Sequence, residues 1–253
     1  MTKLVAVSKT RHGHKSWQRS DSYRFAASRH MAPIMVAEVF RAALSMPLAF
    51  VRSEQKYLLV GLLSLSAGQN FFVASNGKWV GGHIPLVFRA YPFRLVNTAD
   101  RRGMVLSVDE ESGLISEDKG EGEPFFDDDG KMSRPLREVA KFLDTVEKSR
   151  KVAEIAANAL DEAGVIVPWP MKIGEKQAEG LYRIDQAKLQ QVEDEIFLNL
   201  RKTGALIVAY GQLMSMGNIG FLQRLAVLRE KISSSQQPKG RAPNDEEFIR
   251  LDG

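Results

Sequence analysis

The chain has no cysteine among its 253 residues. That excludes disulfide stapling, a thiolate nucleophile and every cysteine-built zinc or iron–sulfur site. Histidine is nearly as scarce, with His12, His14, His30 and His83 the complete set. Catalytic glycine patterns are missing too. Ser64-Leu-Ser66-Ala-Gly68 lacks the first glycine of a nucleophile elbow. Lys78 and Lys131 each follow a glycine, but neither has the earlier glycine or the following hydroxyl residue of a phosphate loop. No G-x-G-x-x-G opens a helix after a strand, which argues against a dinucleotide-binding unit. The N-terminal apolar run is too short for a signal core. The expectation is synthesis in the cytoplasm without a cleavable signal, with the final location open between the cytoplasm, the cell surface and a particle.

What the chain does have is apolar mass and unevenly placed charge. Residues are 44% hydrophobic, enough for one large domain or two small ones with a true core. The net charge of +4 is not a nucleic-acid footprint. Residues 9–30 carry Lys9, Arg11, Lys15, Arg19, Arg24 and Arg29 against Asp21 alone. Residues 109–129 carry Asp109, Glu110, Glu111, Glu117, Asp118, Glu121, Glu123, Asp127, Asp128 and Asp129. This complementarity predicts electrostatic pairing, within one molecule or between copies, with Arg11, Lys15 and Arg19 facing Asp127, Asp128 and Asp129 as the association candidates. Residues 205–228 are long enough to span a bilayer, but Gln212, Asn218, Gln223 and Arg224 favour a buried helix over a transmembrane segment.

Local patterns predict an α+β fold. Residues 1–33 read as a short strand and a basic irregular arm. Met35–Leu44 reads as a helix with Val36, Val39, Phe40 and Ala43 on one face, ended by Pro47. Leu48–Arg52, Tyr57–Leu65, Asn70–Ala74, Phe93–Asn97, Met104–Val108 and Gly113–Ile115 read as strands, the second apolar enough to be central. Asn76-Gly77 between apolar runs predicts a hairpin with a type I′ turn. Short connections favour antiparallel pairing, so the first half is expected to form a curled or barrel-like antiparallel sheet. After Asp127-Asp-Asp-Gly130 the pattern turns helical. Ser133 is the expected N-cap, with Pro135 in the first turn. Two stripes follow, Leu136–Val146 and Val152–Leu160, out of phase with each other, which predicts a break across Glu147–Lys151. Gly164 and Gly204 are expected helix stops. Val165–Ile173 and Gly180–Ile184 read as two strands or extended segments, the first pushed to an edge by Pro168 and Pro170. The helical second half is expected to pack on the sheet. Residues 1–130 and 131–232 then form one composite unit, and 233–253 a flexible tail ending in Phe248, Ile249 and Leu251.

Several motifs share one order. Asn70-Phe-Phe-Val, Gly77-Lys-Trp, Ile84-Pro and Arg89-Ala-Tyr-Pro-Phe resemble the "NLFV…G.W…VP…RRYPF" core of the bacterial SapC family, with Ala90 in place of the second arginine. Gly122-Glu-Pro-Phe-Phe-Asp-Asp-Asp-Gly130 is similar to that family's "GEPLFDEDG". Ser22–Ala26, Ala32–Ile34 and Leu213–Met216 extend the resemblance over most of residues 20–229. The resemblance implies an association with crystalline surface layers. It also implies gene neighbours such as flavin halogenases, cupin-like proteins and outer-membrane receptors, and no defined reaction.

These observations lead to a non-enzymatic structural or interaction protein acting by protein–protein association or self-association, in a surface layer or particle. Two alternatives stand beside it: an enzyme or accessory working with oxidative enzymes of the halogenase or cupin type, and a phage virion component. If a ligand or partner surface exists, its residues are Lys78, Trp79, His83, Arg89, Tyr91 and Arg94, a cationic and aromatic set. The same residues also suit packing. No catalytic residue and no cofactor is assigned. His12-x-His14 with His30 or His83 leaves a histidine-bound metal open. Calcium at Asp127–Asp129 also stays open, although Gly130 falls at the fourth place of a loop that needs glycine at the sixth.

Overall fold

Tyr57–Leu62 is apolar at every position except Gly61, and such a run needs cover on both faces. In the computed structural model, which describes residues 3–98, 100, 102–173 and 176–236, it lies inside a five-stranded antiparallel sheet. The strand order is Ile166–Pro168, Leu181–Ile184, Leu48–Ser53, Lys56–Leu62, Met31–Pro33. Two of these strands come from beyond residue 130, so both halves of the chain build one sheet. Ile166–Pro168 takes the edge, as its proline requires. Helices Arg134–Glu162 and Ala205–Ser215 pack against this sheet and against each other.

The fold is α+β with antiparallel sheets, but the strands of the first half do not close. They divide among open sheets. Phe93–Asn97, Met104–Asp109 and Leu4–Ala6 form one, with Met104–Asp109 central. Ile115–Ser116 and Glu123–Pro124 flank Ser16–Trp17 in another. Met171–Ile173 pairs with Lys176–Ala178. The expected basic arm is therefore no loose arm. Ser16 and Trp17 are buried at the middle of a small sheet, and Trp17 meets Phe93 edge-on at 4.8 Å.

The predicted break across Glu147–Lys151 does not occur. Arg134–Glu162 is one helix, capped by the Ser133 side chain on the Leu136 N–H and followed by Gly164 at φ 66°. The two stripes differ in phase because they face two different cores. Leu136 and Leu143 pack with Trp17, Phe93, Phe125 and Val108. Ala156, Ala157 and Leu160 pack with the large sheet. Val152 and Ile155, expected in the second stripe, are exposed, and Ala153 and Ala157 are buried instead. Ion pairs hold the polar middle helical: Arg150 grips Glu147 at 2.6 Å and also meets Glu154, while Lys148 meets Asp144 at 2.6 Å.

The Asn76-Gly77 reversal differs from the predicted type I′ turn. Gly77 N–H donates to Ala74 C=O at 2.8 Å, and Ala74 N–H donates to Lys78 C=O at 2.8 Å. Gly77 alone has positive φ, 85°. This is a type I turn followed by a left-handed glycine, which spares Asn76 the left-handed conformation. The flanking segments meet through a single bridge, Val73–Trp79.

Ala205–Arg229 is long and apolar enough to cross a membrane by length and composition. Here it is a helix to Ser215, a 3₁₀ turn over Met216–Asn218, and a second helix from Ile219. Gln212 and Ser215 are built into the core, whereas Gln223 and Arg224 are exposed. Gln212 Nε2 donates to Leu48 C=O at 3.1 Å, its Oε1 accepts from Ile184 N–H at 2.9 Å, and Ser215 Oγ accepts from Leu48 N–H at 2.8 Å. The last helix runs to Gln236, past the expected start of the tail at 233. Phe248, Ile249 and Leu251 lie outside the described residues.

Candidate functional site

The cationic and aromatic set predicted around the reversal converges only in part. Trp79 stacks on Phe72 at 5.4 Å and meets Tyr23 and Phe88 at 5.8 and 6.0 Å. Its Nε1–H donates to His83 C=O at 2.9 Å, which pins the Gly81-Gly82 loop. A Cβ on Gly81 would sit 2.8 Å from the Phe72 ring, so glycine lets the loop close over the rings. Tyr91 stacks on Phe25 with 3.8 Å between centroids and 9° between planes. Burial, then Asp109, pushes its phenol pKa up. Lys78 points elsewhere, donating to Asp21 C=O at 3.1 Å. Arg94 is exposed on strand Phe93–Asn97.

His83 and Arg89 do meet a carboxylate, but it is Glu38. Glu38 Oε2 lies 2.7 Å from His83 Nε2 and accepts from Leu86 N–H at 2.9 Å. Its Oε1 accepts from Met35 N–H at 3.0 Å. Arg89 NH2 lies 3.4 Å from His83 Nδ1, and its Nε donates to Ile84 C=O at 2.9 Å. A carboxylate only accepts and a guanidinium only donates, so His83 carries its proton on Nε2 and accepts at Nδ1. Glu38 and His83 are both buried. The carboxylate accepts three hydrogen bonds from two backbone amides and the imidazole, and the assembly braces loop 81–89 onto the turn that starts at Val36. The sequence reading missed Glu38. Its one local signal was a carboxylate three residues after Met35 at the head of an apolar helical run, the place of a capping-box acid.

The predicted charge complementarity is satisfied inside the molecule, with different acids. Arg11 holds Glu110 through Nε at 2.7 Å and NH2 at 2.6 Å. Lys15 reaches Glu117 at 2.6 Å, and Arg19 reaches Glu123 at 3.0 Å. None of the three pairs with Asp127, Asp128 or Asp129 among the described residues. Arg11 holds the Glu110 carboxyl down to about 2. Asp127 instead closes its own turn, accepting from Lys131 N–H at 2.8 Å, with Gly130 at φ 74°.

The histidine pair separates. His12 is buried against Phe125, accepts from Ser8 N–H at Nδ1 (3.2 Å), and has Nε2 3.3 Å from Glu110 in poor hydrogen-bond geometry. His14 is exposed and faces Glu117 at 3.4 Å. Among the described residues, no group of three or more histidines and carboxylates converges as a metal would need.

Two open surfaces bear on association, beside a cavity of about 450 Å³ lined by Arg24, Asn70, Phe71 and Arg229. One is the outer face of the helix pair Val39–Ala43 and Ala205–Ser215. The two helices touch where Val39 lies on Gly211. Phe40, predicted to face inward, is 54% exposed, and Leu44 just past it is 75% exposed. Tyr210 and Met214 are exposed at 46% and 62% on the partner helix. The other is a groove of about 340 Å³ between strands Met31–Pro33 and Phe93–Asn97, walled by helix Arg134–Glu162.

The family model for SapC matches residues 7–222. No curated protein and no solved structure matches the chain.

Proposed function

The chain belongs to the SapC family, and from that premise we propose that it is a non-enzymatic structural protein acting by protein–protein association, as a component of a surface layer or particle. The observation that carries this reading is the apolar face of the helix pair. Phe40 and Leu44 stand one turn apart on one helix, and Ile207, Tyr210 and Met214 follow i, i+3, i+7 spacing on the other. Large apolar residues grouped on adjoining helices are a usual mark of an interaction surface.

The charge-driven association expected from the sequence has less support than this face. Arg11, Lys15 and Arg19 already hold Glu110, Glu117 and Glu123. Association through the helix pair has the opposite salt response to association through surface charges. Burying apolar surface is strengthened by excluded salts such as sulfate, whereas exposed ion pairs are screened. Sedimentation velocity over a concentration series, in low salt and in sulfate, tests the reading with a second copy as the first partner. Self-association that grows in sulfate and is lost in the Phe40→Glu, Met214→Glu double variant supports it. A strict monomer throughout, with no cross-linked species at high concentration, overturns it.

A further inference from the structure

Two sheets end on the same groove. Met31–Pro33 is the last strand of the five-stranded sheet, and Phe93–Asn97 the last of the three-stranded one. Their backbone alternation can be read from the ladder ends. Asp109 N–H donates to Pro92 C=O and Thr98 N–H to Gly103 C=O. With Arg94 opposite Ser107 and Val96 opposite Val105, the even-numbered residues face the sheet. The N–H and C=O of Leu95 and Asn97 therefore point away from it. On the other strand, Leu63 N–H donates to His30 C=O and Ile34 N–H to Leu59 C=O, which turns the backbone groups of Met31 and Pro33 outward. Met31, Pro33, Phe93 and Leu95 all line the groove.

The two edges are not equivalent. Pro33 has no N–H to give, and Phe93 N–H is taken by Ala90 C=O at 2.7 Å. Among the described residues, the outward N–H and C=O of Leu95 and Asn97 have no backbone partner. The groove floor is apolar, including Val87, Phe88, Leu143 and Val146. Its charged rim is uneven. Glu147 and Arg150 neutralise each other. Arg29 and Arg94 have no carboxylate within ion-pair distance among the described residues, and both are exposed.

We propose that this groove takes an extended peptide segment of a partner protein, added as a strand along Leu95–Asn97, with acidic and apolar residues alternating. The alternation follows from the pleat. Side chains of Arg94 and Leu95 point to opposite faces of their strand. A residue opposite Arg94 on an added strand shares its face and is best a carboxylate. Its neighbour, opposite Leu95, falls over the apolar floor. Main-chain pairing would supply affinity, and the two arginines the preference for acid. This surface is separate from the helix pair, and neither set of substitutions touches the other.

The test uses the full chain and two synthetic peptides, acetyl-Glu-Val-Glu-Leu-Glu-Val-amide and its lysine counterpart, acetyl-Lys-Val-Lys-Leu-Lys-Val-amide. Fluorescence polarisation is expected to show saturable binding of the acidic peptide only, weakened at least tenfold by Arg94→Glu. Leu95→Pro removes the central donor and is expected to abolish binding. Because that change can also disturb the strand, hydrogen exchange on the wild-type chain gives the independent readout. The Leu95 and Asn97 amides should gain protection when the acidic peptide is added. No binding, equal binding of both peptides, or binding without protection at these two amides overturns the proposal.

Discussion

Glu38 and His83 lie 2.7 Å apart, buried, with the carboxylate also capping the Leu86 and Met35 amides. One short helical turn and one glycine-rich loop are thereby locked together. Glu38→Ala strands three donors in a water-poor interior and is expected to cost about 3–5 kcal/mol. Glu38→Gln keeps an acceptor and should cost clearly less. Chemical denaturation of both variants checks the ranking, and equal losses would show that one neutral acceptor cannot stand in for the carboxylate.

Acid should release the N-terminal segment in a defined order. Burial pushes the His12 pKa below 6.5, so its neutral form favours the fold and that contribution is lost as pH falls below 6.5. Glu110 is held down to about 2 by Arg11. Its contribution is full above the ordinary carboxylate range, near 4.3, and is lost as pH falls from there through about 2. Arg11→Gln removes the main cause, so the Glu110 carboxyl should titrate higher and the acid midpoint move up. Tryptophan emission during acid titration, with Trp17 as the buried reporter beside this segment, measures the shift.

Gly211 faces Val39 so closely that an added Cβ would run into Cγ1. Gly211→Ala should therefore destabilise by about 1–3 kcal/mol, the usual cost of overpacking. Gly217 has nothing within 4 Å of its Cβ position, and Gly217→Ala should change stability by less than about 0.5 kcal/mol. A thermal melt of the two variants separates contact from helix propensity.

The turn geometry predicts unequal effects at neighbouring positions. Gly77→Ala forces φ 85° on a residue with a Cβ, directed at the Ser22 and Arg24 side chains, and should cost about 1–3 kcal/mol. Asn76 keeps negative φ, so Asn76→Ala loses only its exposed bond to Lys78 N–H, about 0.5–1 kcal/mol. A type I′ turn would make both costly, so denaturation midpoints of the pair distinguish the two turns.

Much of the local structure was legible in the residues. Ser133 caps its helix, Gly164 and Gly204 take positive φ at helix ends, and Tyr57–Leu62 is an inner strand. Each depends on neighbours within a few residues, where side-chain chemistry acts directly on the backbone. The predicted helix break fails for a different reason. A change of phase looks like a break unless the helix is known to lie across two cores. The site shows the same division. Trp79, His83 and Arg89 were picked out as rings and cations around a turn, but Glu38 was not, because nothing in its own surroundings names a partner 45 residues away.

Composition and order alone determined the absence of thiol chemistry, the family motifs and the α+β character with antiparallel strands. Tertiary structure decided that Arg11 meets Glu110 instead of Asp127, that Phe40 faces outward, and that two sheet edges share a groove. The physical reason is range. Caps, turns and apolar periodicity are settled by atoms a few bonds along the chain, whereas ion pairs, buried acceptors and open surfaces depend on where distant segments return.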